Sequence, residues 1–259
     1  MSESPDFILH VVEFRAAAVN ASLSLNGVEL IRSEADRPLM TQIKINGWMR
    51  YSGNELILRA GAPEQPKSKR PLDLKVNLFR GPHGRQPEES EALRRYELQD
   101  PKTVAPGEPV EIWKASFPSV PYYGPWEWER AVELHVGDAL TSAVAAALNS
   151  VAVALNERDT VTLLELFRVY VNELGRSLGI APARIEAQLR EWAQSWRAPG
   201  KQMIDSDQLS LTLQAENHVI RVRRLDHAPV LTSDAGNPAT GPSEFFLAML
   251  PGGGLRIVR

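Results

Sequence analysis

The spacing of apolar residues changes period twice along this chain, and that change limits the fold more than any other feature. Up to Val136 apolar side chains mostly recur at every second position. From Gly137 to about Trp196 they recur every three or four, and from Leu209 the period returns to two. A period of two puts one face of a β-strand in a core; a period near 3.6 does the same for a helix. The pattern predicts two domains: an antiparallel β-sandwich over 1–136, then an α+β domain over 137–259 with three helices packed on an antiparallel sheet.

Within the first part, Phe7 to Phe14 reads as a strand, and Leu23 and Leu25 alternate with serines up to Asn26-Gly27. Asn-Gly between alternating runs marks a hairpin, because both residues tolerate the positive φ of a type I′ turn. The signal recurs at Asn46-Gly47 after Ile43 and Ile45, with a further turn at Ser52-Gly53-Asn54. Leu72, Leu74, Val76 and Leu78 make another half-buried strand. Over 81–109 proline, glycine and charge predict an elaborated loop with a short helix near Glu89–Leu98. Its cluster Glu88, Glu89 and Glu91, like the basic run Lys67–Arg70, reads as a solvated face.

The lines LNGVEL and INGWMRYSGNELIL resemble passages of accessory β-sandwich modules of the galactose-binding kind. That resemblance implies a binding or structural role and assigns no ligand residue.

The densest aromatic stretch, Trp113 to Val136, joins the two parts. From Trp126 strict alternation predicts a strand with Trp126, Trp128, Val132, Leu134 and Val136 on its buried face. Trp113 and Phe117, four apart, share one face of an earlier strand. Between them Pro118, Pro121 and Pro125 brace a turn carrying Tyr122 and Tyr123. Adjacent residues of an extended segment point opposite ways, so at least one tyrosine is left for a partner.

Beyond Gly137, Asp138 is placed to cap a helix, Asp159 or Thr160 to cap a second that runs to Leu178, and Pro182 to open a third. The lines ALNERDTVTLLELF and GGGLRIVR resemble the first-helix region and closing strand of cone domains similar to nuclear transport factor 2 and ketosteroid isomerase. Members of that fold are enzymes, binding pockets or dimerisation modules, so the resemblance leaves the role open.

Composition removes whole classes of chemistry. With no cysteine, disulfides, thiolate-bound zinc, iron–sulfur ligation and cysteine nucleophiles are excluded. A net charge of −3 gives no case for nucleic acid. The five histidines are scattered without ligand spacing, so no metal or cofactor is predicted. The acidic start lacks the basic region of a signal peptide, and no apolar run is long enough to predict a membrane span, so a cytoplasmic location is expected.

The best acid–base candidates are Asp226 and His227, in RRLDHAP, with Tyr170 as a hydrogen-bond donor opposite. Two readings follow. One is non-enzymatic recognition, of a protein partner or a second copy, through Tyr122 and Tyr123, with a sugar-binding first domain as its variant. The other is an isomerase or hydratase working in a cone pocket through Asp226 or His227.

Overall fold

The computed structural model describes residues 7–64, 71–83, 92–197, 203–231, 244–252 and 254–259. Among them are three antiparallel four-stranded sheets and four helices, a mixed α+β chain in which strands dominate. Contacts divide it into two compact units, Met1–Pro125 with Ser177–Gly179, and Trp126–Arg176 with Ile180–Arg259. The basic run Lys67–Arg70 and the acidic cluster at Glu88, Glu89 and Glu91 lie outside the described residues.

The first unit holds two sheets. One has the order β4 (Leu39–Lys44), β1 (Ile8–Ala17), β6 (Asp73–Pro82), β7 (Arg94–Glu97). The other runs β3 (Val28–Ser33), β2 (Asn20–Leu25), β5 (Asn54–Gly61), β8 (Val110–Phe117). Each strand pattern resolves into one buried set, such as Val12, Phe14 and Ala16 on β1 or Leu23 and Leu25 on β2. On β6 the alternating Leu74, Val76 and Leu78 are all buried, as their spacing requires.

The two Asn-Gly pairs behave differently. Asn26 and Gly27 take φ of 52° and 78° and turn β2 into β3, the expected hairpin. Asn46-Gly47 makes no hairpin: it lies in a 3-10 turn, Asn46–Trp48, between β4 and β5, which belong to different sheets. The cause is the Asn46 side chain. Its Oδ1 accepts from the His10 amide at 2.7 Å and its Nδ2 donates to the Ile8 carbonyl at 2.9 Å. The amide thus extends the β1–β4 ladder, whose last residue pair is Val11 with Lys44, and the chain leaves the sheet there.

The helix expected near Glu89–Leu98 is absent from its described part. Arg94–Glu97 is β7, paired with Lys75–Leu78 of β6, and Tyr96 packs its ring against Trp113 at 5.8 Å. A long-range ladder has overridden local propensity.

The second unit opens with a further correction. Trp126–Val136 is not a strand: Glu127–Arg130 forms a 3-10 turn, and Val132 and Val136 are exposed. Trp126 and Trp128 are nonetheless buried, with Ala131 and Leu134 completing the set. A turn followed by extended chain inserts the same tryptophans at a spacing that imitates alternation.

Helix α1 (Asp138–Glu157) follows, with Gly137 in the cap position and Asp138 inside the first turn, where its charge still suits the helix dipole. Asp159 caps α2 (Thr160–Leu166) by accepting from the Val161 and Thr162 amides at 3.1 and 3.0 Å, which satisfies two of the donors the first turn leaves open. The single helix expected to Leu178 is split. Phe167 departs from helical dihedrals (φ −95°, ψ 6°) and separates α2 from α3 (Arg168–Leu178), giving four helices rather than three. Pro182 opens α4 (Pro182–Ser195) as its fixed φ favours.

The third sheet, β12 (Leu255–Ile257), β11 (Phe245–Met249), β10 (Val219–Arg224), β9 (Leu209–Gln214), shares one apolar cluster with these helices. Contrary to the reading of the sequence, α1 is long and apolar enough to cross a membrane by length and composition. Its Leu140, Val144, Leu148, Val151 and Leu155 are packed in that cluster, as a core helix would place them.

Candidate functional site

Two recesses stand out, one in each unit. The first is an open groove of ≈ 530 Å³ where the turn leading to β5 meets the end of β8. Tyr51, Phe117, Pro118 and Val120 form its apolar walls, and among the described residues Arg94 adds charge to the lining. Its floor is held by Asn54, which is fully buried. The Asn54 Oδ1 accepts from Asn26 Nδ2 and the Arg50 amide at 2.9 and 2.8 Å; its Nδ2 donates to the Arg50 carbonyl and to Ser119 Oγ. Ser119 in turn donates to the Arg50 carbonyl. All four hydrogen-bonding positions of a buried amide are thus used, which keeps the two loops in a single arrangement.

The two tyrosines of the proline-braced turn take different roles. Tyr123 is fastened within the first unit: its hydroxyl accepts from the Ile8 amide at 3.0 Å and its ring stacks on Phe7 at 4.2 Å. Tyr122 folds back over Gly124, where an added Cβ would come 2.2 Å from its hydroxyl oxygen. The Tyr122 ring then meets Tyr51 edge-on at 5.7 Å, a favoured geometry for aromatic pairs. Tyr51 itself is 78% exposed and Val120 57%. The exposed ring here is therefore Tyr51, with Tyr122 behind it. Tyr51 escaped the sequence reading because it sits in a turn with no periodic partner.

The second recess is a cavity of ≈ 220 Å³ in the α+β unit. Phe167, at the break between α2 and α3, meets Tyr170, Trp192 and Phe245 at ring separations of 5.8, 6.0 and 6.4 Å. These four rings and Leu189 line it, with Glu244 and Arg259 supplying charge. Glu244 Oε2 is gripped by Arg221 and Arg223 at 2.7 and 2.8 Å.

Behind the cavity Arg259 Nη1 lies 3.3 Å from Glu173 Oε2, both side chains being almost wholly buried. Burial pushes the Glu173 carboxyl above its ordinary range, against the pull of Arg259 and of the Glu127 amide that donates to it. Burial likewise lowers the Arg259 guanidinium, with Glu173 opposing. Arg176 and Arg259 both lie against the Trp126 ring, at 5.1 and 5.5 Å from its centre.

Asp226 and His227 do not line this cavity. They occupy the exposed turn after β10, where Arg224 holds Asp226 by two hydrogen bonds of 3.0 and 2.8 Å. That guanidinium, helped by the Ala228 amide, brings the Asp226 carboxyl down to about 2. A general base near neutrality needs the opposite environment. Tyr170, named as its partner, does line the cavity, but with Glu244 and Arg259. A faint sign of this cluster exists in the sequence: Glu173 stands three places after Tyr170, within the apolar face of its helix. Nothing comparable marks Arg259.

Among the described residues, no three His, Asp or Glu side chains gather as a metal site would need. Comparison with family models, with curated proteins and with solved structures returns no match.

Proposed function

We propose that this chain is a non-enzymatic recognition protein of two domains, a β-sandwich followed by an α+β domain, and that the groove at Tyr51 takes an extended acidic segment of a partner polypeptide. The observation that carries this reading is the exposed Tyr51 ring, backed edge-on by Tyr122 and set beside an apolar groove on a fully hydrogen-bonded floor. An exposed, pre-positioned aromatic ring loses little side-chain entropy on binding, so it suits a contact hot spot. The charge follows from Arg94 in the lining and from Arg80, whose Nη1 lies 3.4 Å from the Val120 carbonyl. Among the described residues, no carboxylate lines the groove.

Peptide-library panning against the whole protein, with counter-selection on Tyr51→Ala, tests this. Enriched peptides should combine apolar and acidic residues, and Tyr51→Ala should weaken the best of them by roughly 10–30-fold. Peptides that bind wild type and variant alike would overturn the reading. A glycan array and sedimentation analysis of the wild type separate it from sugar binding and from self-association.

A further inference from the structure

The recess of the α+β unit has the size and the lining of a small-ligand site, independent of the groove at Tyr51. Its volume of ≈ 220 Å³ exceeds the ~150 Å³ at which an engineered apolar cavity takes up benzene. A single benzene-type ring with a small substituent fits that space. Phe167, Leu189 and Phe245 are buried, and Tyr170 and Trp192 half-buried, so the lining runs from the core of the unit to its surface. Apolar and aromatic side chains of this kind are the usual walls of a site for a hydrocarbon body.

The aromatic wall is assembled from separate elements. Phe167 stands at the break between α2 and α3, Tyr170 is on α3, Trp192 on α4 and Phe245 on β11. Around Phe167 the Tyr170 and Trp192 rings are almost perpendicular, at 85° and 82°, and the Phe245 ring is inclined at 59°. A cluster of rings held at such angles can take a further ring edge-on or offset, the arrangements that aromatic pairs favour. A saturated ring of the same size gains its burial and lacks that pairing.

The charged residues beside these rings are already engaged. Glu244 is held by Arg221 and Arg223 at 2.7 and 2.8 Å. Arg259 Nη1 lies 3.3 Å from Glu173 Oε2 and donates to the Val258 carbonyl at 3.0 Å. A charged ligand would have to compete with a bond already made, and it would shed its own hydration to do so. A neutral ring meets neither cost. We propose that this recess binds a small uncharged aromatic molecule of one ring, packed against Phe167, Trp192 and Phe245.

Ligand-observed fluorine NMR on the full chain tests this, with fluorobenzene, fluorocyclohexane, 4-fluorobenzoate and 4-fluorobenzylamine as probes. Fluorobenzene should bind with Kd below about 1 mM, fluorocyclohexane more weakly, and the two ions at least about ten-fold more weakly. Intermolecular NOEs should connect the bound ring to Phe167, Trp192 or Phe245. Leu189→Phe, which adds bulk to the lining without touching a charge, should weaken fluorobenzene at least about ten-fold. If that variant does not fold, the affinities and NOEs of the wild type decide the matter alone. The proposal is overturned if fluorobenzene does not bind, or if fluorocyclohexane or either ion binds as tightly. It is equally overturned if the NOEs reach only other aromatic rings, or if folded Leu189→Phe binds as the wild type does.

Discussion

The two units handle buried polarity in opposite ways. In the first, the buried polar side chains are mainly neutral: Asn26, Asn46, Asn54, Asn77, Ser119 and His10. Most of these act as clamps on the backbone, as when Asn26 donates to the Trp48 carbonyl and accepts from the Glu55 amide. In the second unit the buried set includes ions, namely Glu173, Arg221 and Arg259 with its side chain nearly enclosed. Neutral amides need only fixed partners, so they suit turns that must hold one shape. Buried charges demand counter-charges and carry a desolvation cost, so they are expected where a site uses them. This contrast separates a unit whose loops are clamped by neutral amides from one that buries ions beside a recess.

The comparison breaks first at the ion pair. Glu173→Leu alone should destabilise the protein by about 3–5 kcal/mol in urea unfolding, because Arg259 is left buried without its carboxylate. Adding Arg259→Leu should recover much of that loss. If the single and double variants are equally unstable, the pair is not what the cavity's stability depends on.

In the first unit, His10 is a buried group whose charge is at stake. Its ring is fully buried, and burial, aided by Arg80 and opposed by Asn46, lowers it from 6.5 to about 4. Between those values the unfolded chain binds a proton that the folded chain refuses. Stability is therefore full above pH 6.5 and falls as pH drops toward 4, by roughly 3 kcal/mol. His10→Leu should flatten that slope in unfolding curves taken across the window; an unchanged slope would assign it to other groups.

A smaller effect tests the amide clamps. Asn46→Ala strands the His10 amide and Ile8 carbonyl, and should cost about 2 kcal/mol. Amide hydrogen exchange should localise the loosening to the start of β1. The smallest effect belongs to Tyr51→Ala, which should change stability by less than about 0.5 kcal/mol because the ring is exposed. A larger loss of melting temperature would mean that Tyr51 holds the fold rather than a partner.

Much of the secondary structure could be read from residue spacing, the site far less. Local periodicity located the alternating strands β2 and β6 and the helix α4, since each rests on side chains a few places apart. The aromatic seam misled because Trp126, Trp128 and Leu134 are buried, as alternation demands, while the backbone beneath them is a 3-10 turn and extended chain. Burial of alternate residues does not require a ladder. The groove and the cavity both depend on residues far apart: Tyr51 meets Tyr122, and Phe167 and Trp192 meet Phe245 and Arg259. No spacing within one segment encodes such convergence.

Asn26-Gly27 and Asn46-Gly47 divide the matter cleanly. The first turned as its residues prescribe, because tolerance of positive φ belongs to the dipeptide and travels with it. The second was decided by two backbone groups of β1, 36 and 38 residues away, that its side chain could satisfy. Dihedral preference and the alternation of faces were settled by sequence alone. Which strand a side chain would complete, and which rings and charges would share a cavity, came only with tertiary packing, where partners distant in the chain compete for the same hydrogen bonds and the same buried space.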